Sequence, residues 1–232
     1  MEDYLSEREQ VDRIRQWWKE NGAWIIVGLG GGLLALAGWN WWQNYQEERA
    51  AQASALYSVV AEAAMEERVD EVRLGVERLA SGHAGSPYLQ HARMALAAAS
   101  VRFGDTDAAI AELERVLADA ADPQLRLVAR LRLARVVLAT GDQDRALELA
   151  RGADGGAFAA ALLEVEGDAL AARGEDAAAR DAYEQAIAAG QGAPGIIDEA
   201  FVQLKLEALG QGVPGAADAA ADADADVGGE TS

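Results

Sequence analysis

Hydrophobic and polar positions divide the chain into two parts. No residue between Glu20 and Glu47 is charged, and every position from Ala23 to Trp39 is apolar or glycine. A helix needs about 20 such residues to cross a bilayer, whereas a core helix of this length would show a polar face somewhere along it. All six tryptophans fall at the two ends of the run, Trp17, Trp18 and Trp24 at one and Trp39, Trp41 and Trp42 at the other. From Trp18 to Trp41 a helix rises about 35 Å, which brackets a hydrocarbon slab of about 30 Å and puts indole rings at both interfaces. The pattern predicts a transmembrane helix over residues 22–42, preceded by a short segment over 1–21.

Arg8, Arg13, Arg15 and Lys19 precede the run, and only Arg49 appears in the twenty residues after Trp42. The positive-inside rule then keeps the N-terminus in the cytoplasm and sends the bulk of the chain across. A cleaved signal peptide is the competing reading. Ala51-Gln52-Ala53 offers an A-x-A site, but Trp41, Trp42, Tyr45 and Glu47 separate it from the apolar run. The segment therefore reads as an uncleaved anchor. Gly28, Gly32 and Ala35, with Gly38, form a face of small residues that would let another helix approach closely in the membrane.

Past the span the period becomes that of short amphipathic helices broken by Gly, Asp and Pro. Pro87, Pro123 and Pro194 each stand where a helix is expected to open, a position proline tolerates. Gly104-Asp105, Gly141-Asp142 and Gly174-Glu175 recur at intervals of 37 and 33 residues, and five positions after each glycine comes an alanine, Ala109, Ala146 and Ala179. The third unit is the clearest, with Gly167, Leu170, Gly174, Ala179, Tyr183, Ala186 and Ile187. These offsets resemble the tetratricopeptide pattern, whose period is about 34 residues. Glycine admits a turn that L-residues resist, and the alanines let antiparallel helices come close. Leu113 and Ala150 replace the aromatic in the first two units.

In the second unit Leu127, Leu131, Ala134 and Leu138 share one helical face, with Arg126, Arg130, Arg132 and Arg135 on the rest. A weaker helix pair, about 50–65 and 69–79, precedes the clear units, and 194–209 is expected to form a terminal capping helix. From Gly210 the chain is low-complexity Gly, Ala and Asp, the composition of a disordered acidic tail. The expected fold is all-α: a segment 1–21, a transmembrane helix 22–42, a repeat solenoid 43–209 and a tail 210–232.

Composition adds mainly exclusions. A net charge of −19 argues against a nucleic-acid partner, which would need clustered Lys and Arg. Cysteine is absent, so disulfides and thiol chemistry are excluded. The two histidines, His83 and His91, form no HExxH pattern; a zinc site shared with carboxylates and a plain surface or packing role are both open to them. No phosphate-cradling glycine loop or nucleophile elbow occurs, and acidic pairs such as Glu66-Glu67 read as a solvated helix face. The expectation is a binding protein, not an enzyme, with no cofactor and no catalytic or metal residues. Its default site is the concave face of the stacked pairs, onto which the repeat frame maps His91, Met94, Arg132, Arg135, Glu164 and Asp168.

The opening Glu9-Gln10-Val11, then Trp17-Trp18-Lys19-Glu20-Asn21-Gly22, then a glycine-rich span closing on Trp39 and Trp42, resembles one family. So do Arg132-Leu133-Ala134-Arg135-Val136, and Gly167-Asp168-Ala169-Leu170 with Gly174, Ala179-Arg180 and Tyr183-Glu184. That family is the ancillary SecYEG translocon subunits, the YfgM-like proteins of Gram-negative bacteria, and the resemblance covers about residues 1–209. It implies a single-span inner-membrane protein with a periplasmic tetratricopeptide-like domain, partnered by the SecYEG translocon, periplasmic chaperones and exported protein clients. The implied role is chaperone-like help with the passage or folding of exported proteins. The residues alone leave a second reading open, an envelope or cell-division scaffold that binds no client.

Overall fold

The computed structural model describes residues 7–152 and 154–210, so the expected acidic tail beyond Gly210 lies outside the described residues, as does the chain before Glu7. All regular structure among the described residues is helical. The first helix, α1 (Glu7–Met65), runs unbroken through the apolar segment. Two compact units divide it, the first ending at Ala55 and the second beginning at Leu56. In the first unit only 6% of the apolar window is buried. A soluble core helix would be covered by its own protein; here Trp24 and Leu34 are 79% and 76% exposed, so the cover must come from lipid or from other helices. Trp39 and Trp42 pack at 5.4 Å, and Trp41 stacks on Tyr45 at 6.0 Å.

Residues 43–52 continue α1 as exposed helix, and the second compact unit begins at Leu56. Among the described residues that unit holds the end of α1 and the helices α2 (Val69–Gly82), α3 (Pro87–Arg102), α4 (Thr106–Asp119), α5 (Pro123–Ala139), α6 (Gln143–Arg151), α7 (Ala159–Ala172), α8 (Asp176–Gly190) and α9 (Glu199–Gly210). A single 3-10 turn, Gly156–Phe158, leads into α7. From α2 on, each helix packs on the next and α5 also touches α7, the nearest-neighbour stacking of a solenoid.

The three Gly-acid turns explain how the chain reverses between paired helices. Gly104, Gly141 and Gly174 have φ of +79°, +88° and +75°. Each glycine N–H donates to the carbonyl three residues back, while the next residue's N–H reaches the carbonyl five back: Asp105 to Ser100 (2.9 Å), Asp142 to Val137 (3.3 Å) and Glu175 to Leu170 (3.0 Å). This closes the helix end. The same Asp105 and Asp142 then cap the following helix, their carboxylates accepting from the N–H of Ala108 (3.1 Å) and Arg145 (3.0 Å).

Pro87 and Pro123 open α3 and α5, behind Ser86 and Asp122 as caps. Pro194 opens nothing. It lies in a loop with Gly195 at φ +85°, and α9 starts at Glu199. Asp198 carries the acceptor a helix start needs and takes the N–H of Phe201 at 3.2 Å. Helix α5 also departs from the single-face expectation. Leu131 and Ala134 pack into one cluster with Leu162 and Val165, while Ala129, Leu133 and Val137 enter another with Leu113 and Val116. A helix in mid-stack has neighbours on two sides, so its apolar surface wraps beyond one stripe.

Candidate binding surfaces

The repeat-packing residues sit where close approach demands them. Ala109, Ala146 and Ala179 are wholly buried, and Gly167 lies against the Tyr183 ring, where an added Cβ would stand 2.5 Å from ring carbons. On the apolar segment of α1, a Cβ built at Gly28 or Gly32 meets nothing within 4 Å, and Ala35 is exposed. This face is open to an incoming helix.

The residues mapped onto the inner face of the first helices separate into three groups. His91 is exposed on α3, its ring 6.1 Å from Tyr57, which itself packs on Tyr88 at 5.6 Å. Arg132 and Arg135 are exposed on α5. Met94, by contrast, is a core residue at 6% exposure, packed with Ala97, Leu113 and Leu133, because the side of α3 it occupies faces α4 and α5. It contributes to stability and not to a free surface. Glu164 and Asp168 are already engaged. The Lys205 ammonium on α9 donates to Glu164 Oε1 at 2.8 Å and to both Asp168 oxygens at 2.7 and 2.8 Å. The Tyr183 hydroxyl donates to Asp168 at 2.8 Å, and Arg135 reaches Glu164 at 3.5 Å.

This network joins α5, α7, α8 and α9. Burial first, then the hydrogen bond to Asp168 and the negative charge of Asp168 and Glu164, pushes the Tyr183 phenol well above its ordinary range. Lys205 is the residue that sequence reasoning missed. Its signal was scarcity: it is one of two lysines in an arginine-rich chain. A compact ammonium fits between two carboxylates where a planar guanidinium would splay them. A second mixed-charge cleft, about 520 Å³, lies where Glu67, Arg68 and Arg73 meet Ser100, Phe103 and Asp105. Its arginines are paired, Arg73 with Asp105 at 3.6 Å and Arg68 with the neighbouring Glu66 at 2.8 Å. Among the described residues no group of three or more His, Asp or Glu is placed to hold a metal.

Among the described residues, an exposed helix long and apolar enough to cross a membrane, joined to stacked helix pairs with left-handed glycine turns, defines a tetratricopeptide-like repeat protein with a membrane helix. A family model for the tetratricopeptide repeat-like domain matches residues 15–211. Proteins named Ancillary SecYEG translocon subunit are similar along nearly their whole length. The one from Escherichia coli is 33% identical over 81% of this chain and 90% of its own. That from Haemophilus influenzae is 29% identical over 88% and 98%, and that from Neisseria gonorrhoeae 26% identical over 90% and 100%. The chain belongs to the ancillary SecYEG translocon subunit family.

Proposed function

We propose that this chain is an ancillary subunit of a SecYEG translocon: an inner-membrane protein with a cytoplasmic N-terminus and a periplasmic repeat domain. That domain binds exported polypeptides and periplasmic chaperones and assists passage or folding. The observation that carries the reading is the extent of the similarity, which spans both the apolar helix and the repeats of relatives bearing that name. The excess of Arg and Lys before the span supports the orientation. The exposed His91, Arg132 and Arg135 on first helices would supply polar contacts to an extended or helical client, and Gly28, Gly32 and Ala35 would supply close approach to a channel helix.

The test is a pull-down of the tagged chain from detergent-solubilised membranes. Channel subunits should co-purify above the level seen with an unrelated single-span protein of equal abundance. Absence of the channel sinks the reading and leaves the envelope scaffold. A reporter fused after Leu209 should be active only outside the cytoplasm; cytoplasmic activity would reverse the orientation.

A further inference from the structure

Among the described residues α9 is the last helix of the array, and no later helix packs on it there. In the pairs α3–α4, α5–α6 and α7–α8 the second helix covers the first. Helix α9 packs on α8 and reaches α7 through Lys205, which is the place of the first helix of a fourth pair. Its inner side is well used. Val202 is wholly buried, and Leu206 and Leu209 pack against the same core.

The outer side is apolar as well. Phe201 and Leu204 are 52% and 60% exposed, and Ala200 and Ala208 share their stripe at helical spacing. A terminal repeat ordinarily turns a polar face to water. Lys205 sits over the Phe201 ring, its Nζ 4.8 Å from the centroid, so that ring is held in place at the edge of the stripe.

The occupant can be narrowed by composition and charge. Each existing second helix offers an apolar row, such as Ala109, Leu113 and Val116 of α4. Residues 211–232 contain only Val213 and Val227 as large apolar residues, and these are too far apart to form such a row. A second copy of this chain is disfavoured by its net charge of −19 and by Glu199 and Glu207, exposed on one flank of the stripe, which would meet like charges. The same two carboxylates favour a basic neighbour.

We propose that the Phe201–Leu204 face of α9 docks an amphipathic helix of another protein, apolar on one side and flanked by Lys or Arg, which completes the fourth pair in trans. This surface lies on the last described helix and does not depend on association with the translocon, so the two ideas fail separately.

The experiment uses the full chain in nanodiscs of zwitterionic lipid, with empty nanodiscs as the blank. The probe is a fluorescent helical peptide about four turns long, bearing the apolar spacing of α4 with lysines on both flanks; a glutamate-flanked version is the control. The lysine peptide should bind saturably. Phe201→Glu with Leu204→Glu should weaken it at least about tenfold, or about 1.4 kcal/mol, and the glutamate peptide should bind weaker by a similar factor. If the glutamate pair lowers helicity, Phe201→Ser with Leu204→Ser carries the test. No saturable binding, or binding indifferent to the substitutions or to peptide charge, overturns the proposal. So does a dimeric wild-type mass that becomes monomeric in the variant, which would assign the face to a second copy.

Discussion

Gly167 and Tyr183 are a matched pair, small against large, on facing helices α7 and α8. A methyl at Gly167 would gain up to about 1 kcal/mol in helix propensity, but overpacking a closed site costs about 1–3 kcal/mol. The ring cannot retreat, because it is 3% exposed and its hydroxyl is bonded to Asp168. Gly167→Ala should therefore lower the unfolding free energy, by up to about 2 kcal/mol, read by denaturant unfolding of the detergent-solubilised chain. Tyr183 makes a second prediction, with a definite sign. Its folded phenol ionises above the unfolded one, which titrates near 10. The stability this contributes is complete below about pH 10 and declines as pH rises past that value, since the unfolded chain loses its proton first. Unfolding midpoints should fall between about pH 9 and 11 in the wild type and fall less in Tyr183→Phe; equal slopes would refute the assignment. Gly167 and Tyr183 were legible from their offsets. Lys205 was not, because nothing local marks which distant carboxylates a lysine will meet.

At the scale of elements, the Gly-Asp dipeptides do two tasks in two residues, ending one helix and starting the next. Loss of the second task is separable. Asp142→Ala should cost about 1 kcal/mol through the missing bond to the Arg145 N–H, whereas Asp142→Asn should cost less, since Asn caps comparably. An equal loss for both variants would point to charge and not capping. These turns, and the paired helices around them, could be read from sequence because the signals are local: a left-handed glycine, an acceptor side chain, an alanine at fixed offset. Pro194 misled for the same reason. Proline marks a permitted helix start, but Asp198 supplied the acceptor, and the helix formed there. Helix α5 was legible only in part. Periodicity finds one apolar stripe, while stacking on both sides decides that Ala129, Leu133 and Val137 are buried too.

For the whole molecule, the open question is which part carries the partner. The repeat domain presents charged and aromatic side chains to water, where most rim contacts contribute little. The apolar stretch of α1 has a different solvent. Lipid gives helices no hydrophobic reason to associate, so packing of small residues decides whether they do. Gly28 and Gly32 offer that surface, with nothing within 4 Å of where a Cβ would stand. Replacing both with leucine keeps the segment apolar, and leucine inserts favourably, so anchoring and orientation should persist. Two isobutyl groups would hold an approaching helix away by several ångströms and cancel the close packing. We expect Gly28→Leu with Gly32→Leu to insert normally, to keep the helicity of the wild type, and to recover at least several-fold less channel in the same pull-down. A leucine pair placed on the opposite side of the helix, at Gly30 and Ala37, should leave recovery near wild type. Undiminished recovery with the Gly28 and Gly32 pair would move the docking surface to the repeat domain, and a loss common to both pairs would mean that general bulk in the span, not this face, is what the channel senses.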